Sequence, residues 1–306
     1  MDNERYLLTI AYESDEETQR LDEMHAAFTC YFGGKLSQAQ ITDVHPRKIL
    51  DLGCGSGAWA IQAAVQFPEA QVIAVDISAL PKRQIPENLR FQLGDITNLQ
   101  SSDFEEESFD IVHSRLVMTH VPNGEEAVKR AAQLVKPGGL LLMEDLDLGS
   151  LVSTGGPAVR RLALRIIEIW ESRSVDAELG RKLAGIMASV ESFPQVHVHK
   201  IAMPFAGTGS DEATNELGLA VKKSWIQASE GLGGRLSTQG ITEVMEKEQS
   251  EELGRGGLHC LDGHVFLLGA TQVGRDPSLT FVCILGCLEK GTPVITTADF
   301  FFVVGI

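Results

Sequence analysis

The sequence predicts an α/β fold in which a mostly parallel sheet carries helices on both faces. Two observations predict it. From Arg47 onward, short apolar runs at 48–52, 71–75, 89–93, 109–113 and 140–144 alternate with stretches of helical length. Strands apolar on both sides need cover on both sides, and strands separated by helix-length segments form βαβ units. The second observation is the finish, which reads helix, strand, helix, strand and suits a sheet that ends in a hairpin.

Residues 4–45 read as helical. The acidic stretch 13–17 precedes Leu21, Met24, His25 and Phe28, which recur at spacings of three and four, so 1–45 is expected to be an N-terminal helical cap. Beyond residue 150, the segment 158–172 carries one apolar stripe of Val159, Leu162, Ile166, Ile169 and Trp170, as an amphipathic helix on a core does. Residues 194–203 read as a strand, 211–229 as a helix and 264–270 as a final strand. His197 and His199 alternate and so share one face, as polar positions on an edge strand do. The Leu-Gly-Gly-Arg stretch at 232–235 reads as a flexible turn and the acidic run 105–107 as a solvated loop. The body is therefore expected over 46–272, followed by an apolar tail, 273–306, with five charged residues and loose order.

Composition excludes several classes. Lys and Arg number 26 against 42 Asp and Glu, and a net charge of −16 repels a phosphate backbone, so nucleic acid is not expected as a partner. The start lacks the basic stretch and apolar run of an export signal, which points to the cytoplasm. Five cysteines, at 30, 54, 260, 283 and 287, fit reduced thiols better than a disulfide framework. Cys283 and Cys287 have no second pair nearby, and no metal site is expected. The longest apolar run, 279–288, is about half of the ~20 residues a membrane span needs.

The sharpest segment is Ile49-Leu50-Asp51-Leu52-Gly53-Cys54-Gly55-Ser56-Gly57, a strand running into a glycine loop before a helix from about Ala58. Glycine permits positive φ and close approach of a ligand, and the helix N-terminus offers N–H donors. Such loops also make plain strand-to-helix turns. The strand at 71–75 ends in Asp76, nineteen residues after Gly57, where a carboxylate can accept from both hydroxyls of a ribose; an Asx turn or helix cap, with Ser78 close by, is the other reading. Asp95 and Ile96 end the third strand, where a carboxylate could accept from an adenine amino group and an apolar side chain could pack on the ring.

These segments, with Phe109 to Arg115 and the Val135-Lys136-Pro137-Gly138-Gly139 turn, resemble the successive motifs of class I S-adenosylmethionine-dependent methyltransferases. The Arg20-Leu-Asp-Glu segment, His25, Gly33-Gly34-Lys35-Leu36, Trp59, the Pro86 to Phe91 segment and His113-Ser114-Arg115 resemble in particular the fungal LaeA-like and secondary-metabolite methyltransferases. The resemblance is strong over 4–150 and loose over 150–272. It implies a Rossmann-like sheet of seven strands with the last inserted antiparallel, and S-adenosyl-L-methionine as cofactor. The cofactor set expected is Asp51, Gly53, Cys54, Gly55, Gly57, Asp76, Ile77, Asp95, Ile96 and His113. The third glycine falls one residue short of a dinucleotide fingerprint, which argues against a nicotinamide enzyme.

Methyl transfer is an in-line displacement that needs alignment and exclusion of water. For an oxygen acceptor a positioned base adds ~10²–10⁴-fold. His120, after the fourth strand, is the expected catalytic base, although a histidine there can equally cap or pack a helix. Glu144 and Asp145, after the fifth strand, are the expected substrate residues, together with Arg115, which could hold an acceptor carboxylate or pair with acids of the cap. The expected partner is a small-molecule acceptor, with a homodimer left open. A LaeA-like regulator, with a nuclear location, and a non-methylating enzyme on the same fold are the alternatives.

Overall fold

The computed structural model describes residues 14–38, 45–98, 104–191, 193, 195–205, 207, 209, 211–255 and 262–271. The chain opens with helix α1 (Asp15–Tyr31), capped by Ser14, whose hydroxyl accepts the Glu17 N–H. It then alternates through β1 (Lys48–Leu52), α2 (Ala58–Gln66), β2 (Gln71–Asp76), β3 (Leu89–Leu93), β4 (Phe109–Arg115), α3 (Gly124–Leu134) and β5 (Val135–Asp147). Helices α4 (Leu148–Thr154), α5 (Pro157–Glu171) and α6 (Leu179–Ala188) lead to β6 (Gln195–Pro204). Helices α7 (Glu212–Ser229), α8 (Leu232–Arg235) and α9 (Glu243–Gly254) precede β7 (Asp262–Thr271).

The seven strands form one sheet in the order β3-β2-β1-β4-β5-β7-β6. Strands β1 to β5 pair in parallel, while β7 lies antiparallel between β5 and β6. Strand alternation divides the core. Leu50, Leu52, Ile73, Val75 and Val112 face α3 and α6, whereas Ile49, Val72, Ala74 and Ile111 face Trp59, Ala60 and Ala63 of α2. A third core forms where Met24 and Phe28 of α1 pack with α5, α7 and residues of β6. The cap is thereby part of the body's packing. No helix among the described residues is long and apolar enough to cross a membrane.

Three expectations are corrected. The Lys136-Pro137-Gly138-Gly139 segment is drawn into β5 as a bulge: Phe109 pairs with Val135 but Ile111 with Leu140, and Gly138 takes φ +81° to make the detour. The 232–235 stretch is a helical turn, because the Glu246 carboxylate accepts the N–H groups of Gly231 and Gly233 at 2.8 and 3.0 Å. Within 4–45 the helix described is confined to α1. The tail 273–306, with Cys283 and Cys287, lies outside the described residues, as does Cys260.

Candidate active site

The carboxyl ends of β1, β2 and β4 open into a cavity of about 290 Å³, roofed by α1 and α7. This is the crevice where parallel α/β sheets take their ligands. One end is built on the glycine loop. Gly53 has φ +72°, and a Cβ there would stand 2.5 Å from a methyl of Val117. Only glycine lets the loop pass so close to the chain leaving β4. Gly53 and Cys54 both donate N–H to the Val75 carbonyl, at 2.8 and 3.0 Å, which holds the loop against β2. Asp76 finishes the rim: its two oxygens accept the N–H groups of Gly55 (2.8 Å) and Ser78 (2.9 Å). The Asx turn thus exists, and a carboxylate retains lone pairs for further donors.

Parallel register places Asp51 opposite His113 on β4. Their side chains meet at 2.8 Å between Oδ1 and Nδ1. Both are buried, and burial pushes each toward its uncharged form, Asp51 up to about 7 and His113 down to about 3. The imidazole lies flat on Trp59, ring centroids 3.7 Å apart. Asp51 Oδ2 and His113 Nε2 have no hydrogen-bond partner among the described residues. Orphaned polar atoms beside a cavity mark a place where a polar ligand completes the bonding.

The cap supplies a second layer. Arg83 forks onto Asp22 of α1 at 3.1 and 2.5 Å and also donates to the Ser56 carbonyl at 2.6 Å. Arg115 donates to Glu144 and, at 3.1 Å, to the Leu36 carbonyl, and it sits 4.8 Å over the Phe28 ring. His25 Nδ1 lies 3.3 Å from the same guanidinium, and its Nε2 lies 2.8 Å from Gln62. Burial first, and then Arg115, holds the His25 pKa down to about 4.

The other end of the cavity is apolar. His120 ends the turn Met118–His120, and its backbone N–H donates to Val117, the residue packed on Gly53. Its ring meets the Trp170 ring edge to face at 5.1 Å. Desolvation lowers its pKa to about 4, so the ring is neutral at neutral pH.

Of the residues predicted from sequence, Asp51, Gly53, Cys54, Gly55, Asp76, Ile77, Ile96, His113, Arg115 and His120 border this cavity. Four stand behind it. Gly57 takes φ +79° as N-cap of α2. Asp95 turns back to accept from the N–H and hydroxyl of Thr97. Glu144 is buried behind Arg115, and Asp145 accepts the Thr119 N–H and hydroxyl, which desolvation opposes by pushing its pKa to about 6. Arg115 pairs with β5 rather than with acids of the cap. Sequence reasoning missed Arg83 as a site residue because its partner, Asp22, lies 61 positions away. Arg20, Asp22 and Trp59 appeared in it only as part of a resemblance, and His25 in that and in the helical spacing of the cap.

The residues fit a nucleoside-bearing sulfonium cofactor. Carboxylates at Asp51 and Asp76 could take an ammonium and ribose hydroxyls, and Ile77 and Ile96 could flank a flat base.

A family model described as a methyltransferase domain matches residues 45–175. Methyltransferase str2 of Strobilurus tenacellus is 33% identical over 241 residues, which cover 78% of this chain and 86% of that protein. Methyltransferase str3 of the same organism is 37% identical over 217 residues, 70% of this chain and 77% of that one. The secondary metabolism regulator laeA of Coprinopsis cinerea is 33% identical over 139 residues, 44% of this chain and 34% of that one. The chain belongs to the S-adenosylmethionine-dependent methyltransferases, in the family that includes these two fungal methyltransferases, and S-adenosyl-L-methionine is its cofactor.

Proposed function

We propose that the enzyme methylates an oxygen atom of a small-molecule acceptor, a specialised metabolite. The observation that carries this reading is the single cavity that runs from the glycine loop to an apolar chamber with the His120 imidazole on its wall. The names of the relatives, two methyltransferases and a secondary-metabolism regulator, support the metabolite class.

The cofactor supplies an electrophilic methyl group on a sulfonium. The protein's part is to hold two partners in line and keep water away. Asp76 would hold the ribose hydroxyls and Asp51 the amino-acid end, and Gly53, Cys54 and Gly55 would present backbone to the cofactor. Ile77 and Ile96 would flank the adenine, with Asp95 behind them shaping the turn, and Gly57 starts the helix below. His113, stacked on Trp59, fixes the Asp51 carboxyl. His120 is neutral and accepts the hydrogen of an acceptor hydroxyl, turning an oxygen lone pair toward the methyl. Burial holds its pKa to about 4, so it first orients the hydroxyl and takes the proton only as the new carbon–oxygen bond makes that hydroxyl strongly acidic, then passes it to water. Glu144 and Asp145 act at one remove, by holding Arg115 and Thr119. We further propose 46–272 as the catalytic body, with 1–45 as its cap and 273–306 dispensable for cofactor binding.

The test is transfer of a labelled methyl from S-adenosylmethionine into a panel of hydroxylated aromatic compounds. Methyl ethers identified by mass spectrometry are the expected products. Label on nitrogen or carbon, or no transfer, overturns the oxygen assignment.

A further inference from the structure

The acceptor end of the cavity combines aromatic and thioether walls with charges that are already neutralised. Met24, Leu151, Trp170, Met203, Phe205 and Trp225 border it, and all belong to the core shared by the cap, α5 and α7. The two large rings are fixed before any ligand arrives. Trp225 Nε1–H donates to Gln249 at 2.8 Å, and Gln249 donates onward to Ser229 at 2.6 Å. Trp170 and the His120 ring meet edge to face at 5.1 Å. Rigid aromatic walls favour flat rings, which stack or meet edge to face with little loss of freedom.

The charges point the same way. Two arginines border the cavity. Arg20 is clamped by both oxygens of Glu17, at 2.7 and 2.6 Å, and donates to Ser224 at 2.5 Å. Arg115 is committed to Glu144 and the Leu36 carbonyl. Asp147, the acid at the end of β5, is paired with Arg181 at 2.7 Å. His25 and His120 are uncharged because burial disfavours their protonated forms. An acceptor carboxylate entering here would lose its water without gaining an unengaged cation, which disfavours its binding. A neutral hydroxyl loses far less and finds His120.

Building on the oxygen-methylation reading above, we propose that the acceptor is an uncharged, flat aromatic molecule whose reacting group is a neutral hydroxyl, and that Trp225 and Trp170 select it. The chamber rejects anionic acceptors because its cations are internally paired.

The experiment is equilibrium dialysis of the full chain loaded with S-adenosylhomocysteine, using naphthol and naphthoate as matched probes. Naphthol is expected to be retained roughly tenfold better than naphthoate. Trp225→Leu should reduce naphthol retention, and Val221→Trp, which fills the chamber from α7, should abolish it. Glu17→Gln frees Arg20 and should raise naphthoate binding relative to naphthol. Equal or tighter binding of naphthoate by the unmodified chain overturns the charge argument. Naphthol retention that ignores both Trp225→Leu and Val221→Trp removes the aromatic walls from the acceptor site. S-adenosylhomocysteine bound with neither probe retained overturns this acceptor class and leaves the methyl-transfer reading standing, whereas failure to bind S-adenosylhomocysteine overturns both.

Discussion

Trp59 lies face to face on His113, with ring centroids 3.7 Å apart and planes 3° from parallel. The stack joins α2 to β4, His113 carries it to Asp51 on β1, and Trp59 Nε1–H carries it to the Leu36 carbonyl beyond the cap helix, at 3.1 Å. Four separate parts of the chain are therefore fixed at the floor of the cofactor end.

Trp59→Ala should cost about 3–5 kcal/mol of stability, the range for removing a large buried aromatic side chain. Trp59→Phe keeps a ring on His113 and loses the indole N–H, so its cost should be about 1 kcal/mol. Urea denaturation of the two variants checks the ranking. Equal stabilities would mean that the stack contributes little to holding β1 and β4 together.

Asp76→Ala should weaken S-adenosylhomocysteine binding at least about tenfold, since charge-assisted bonds to ribose hydroxyls are lost. The same substitution releases the N–H groups of Gly55 and Ser78, so part of the loss reflects a looser loop. Asp76→Asn keeps one acceptor oxygen and should fall between the two. Calorimetric titration measures all three affinities, and an unchanged value for a folded Asp76→Ala would remove the residue from the site.

The glycine loop and Asp76 were legible in sequence because their geometry is local: a strand, a turn with positive φ and an acid at the next strand end. The helix at 211–229 was legible to within one residue because Asp211 caps it, its carboxylate accepting the Thr214 N–H. Contacts made by register and docking were not. Asp51 and His113 lie 62 positions apart, and Arg20 and Ser224 lie 204 apart. Glu144 and Asp145 show the limit most clearly. A strand end predicts proximity to the acceptor, but Arg115, the last residue of β4, and Thr119, in the turn after it, interpose themselves and turn both acids into supports.

The cap should control cofactor exchange through Arg83. Burial alone would raise the Asp22 carboxyl, but its bonds to Arg83 hold it below the usual carboxylate range, so the pair is charged at neutral pH. It ties α1 to the Ser56 carbonyl of the glycine loop, and Leu21 of α1 stands 3.1 Å from where a Gly55 Cβ would be. Arg83→Ala should speed release of S-adenosylhomocysteine by roughly fivefold, and Arg83→Lys, which keeps charge but not the fork, by less. Stopped-flow displacement reads the rate. An unchanged rate in Arg83→Ala would show that α1 opens independently of this contact.

His120 yields a pH test that separates its chemistry from its packing. Its folded pKa is about 4 against an ordinary value of 6.5, so between those limits the unfolded chain holds a proton that the folded chain refuses. Stability from this group is therefore complete above 6.5 and declines as pH falls toward 4, by at most about 1.4 kcal/mol per pH unit. In His120→Gln this slope disappears, so the variant should lose less stability than the unmodified enzyme between pH 6.5 and 4.5. Turnover responds over a different range. The imidazole stays neutral down to about 4, so no loss of rate from its protonation is expected between pH 6 and 8. Within that window His120→Gln should lower the rate by a constant factor while S-adenosylhomocysteine affinity holds. A limb in the enzyme's pH–rate profile near 6.5 that vanishes in His120→Gln would show that the ring titrates normally, and the desolvated environment assigned to it beside Trp170 would then be wrong.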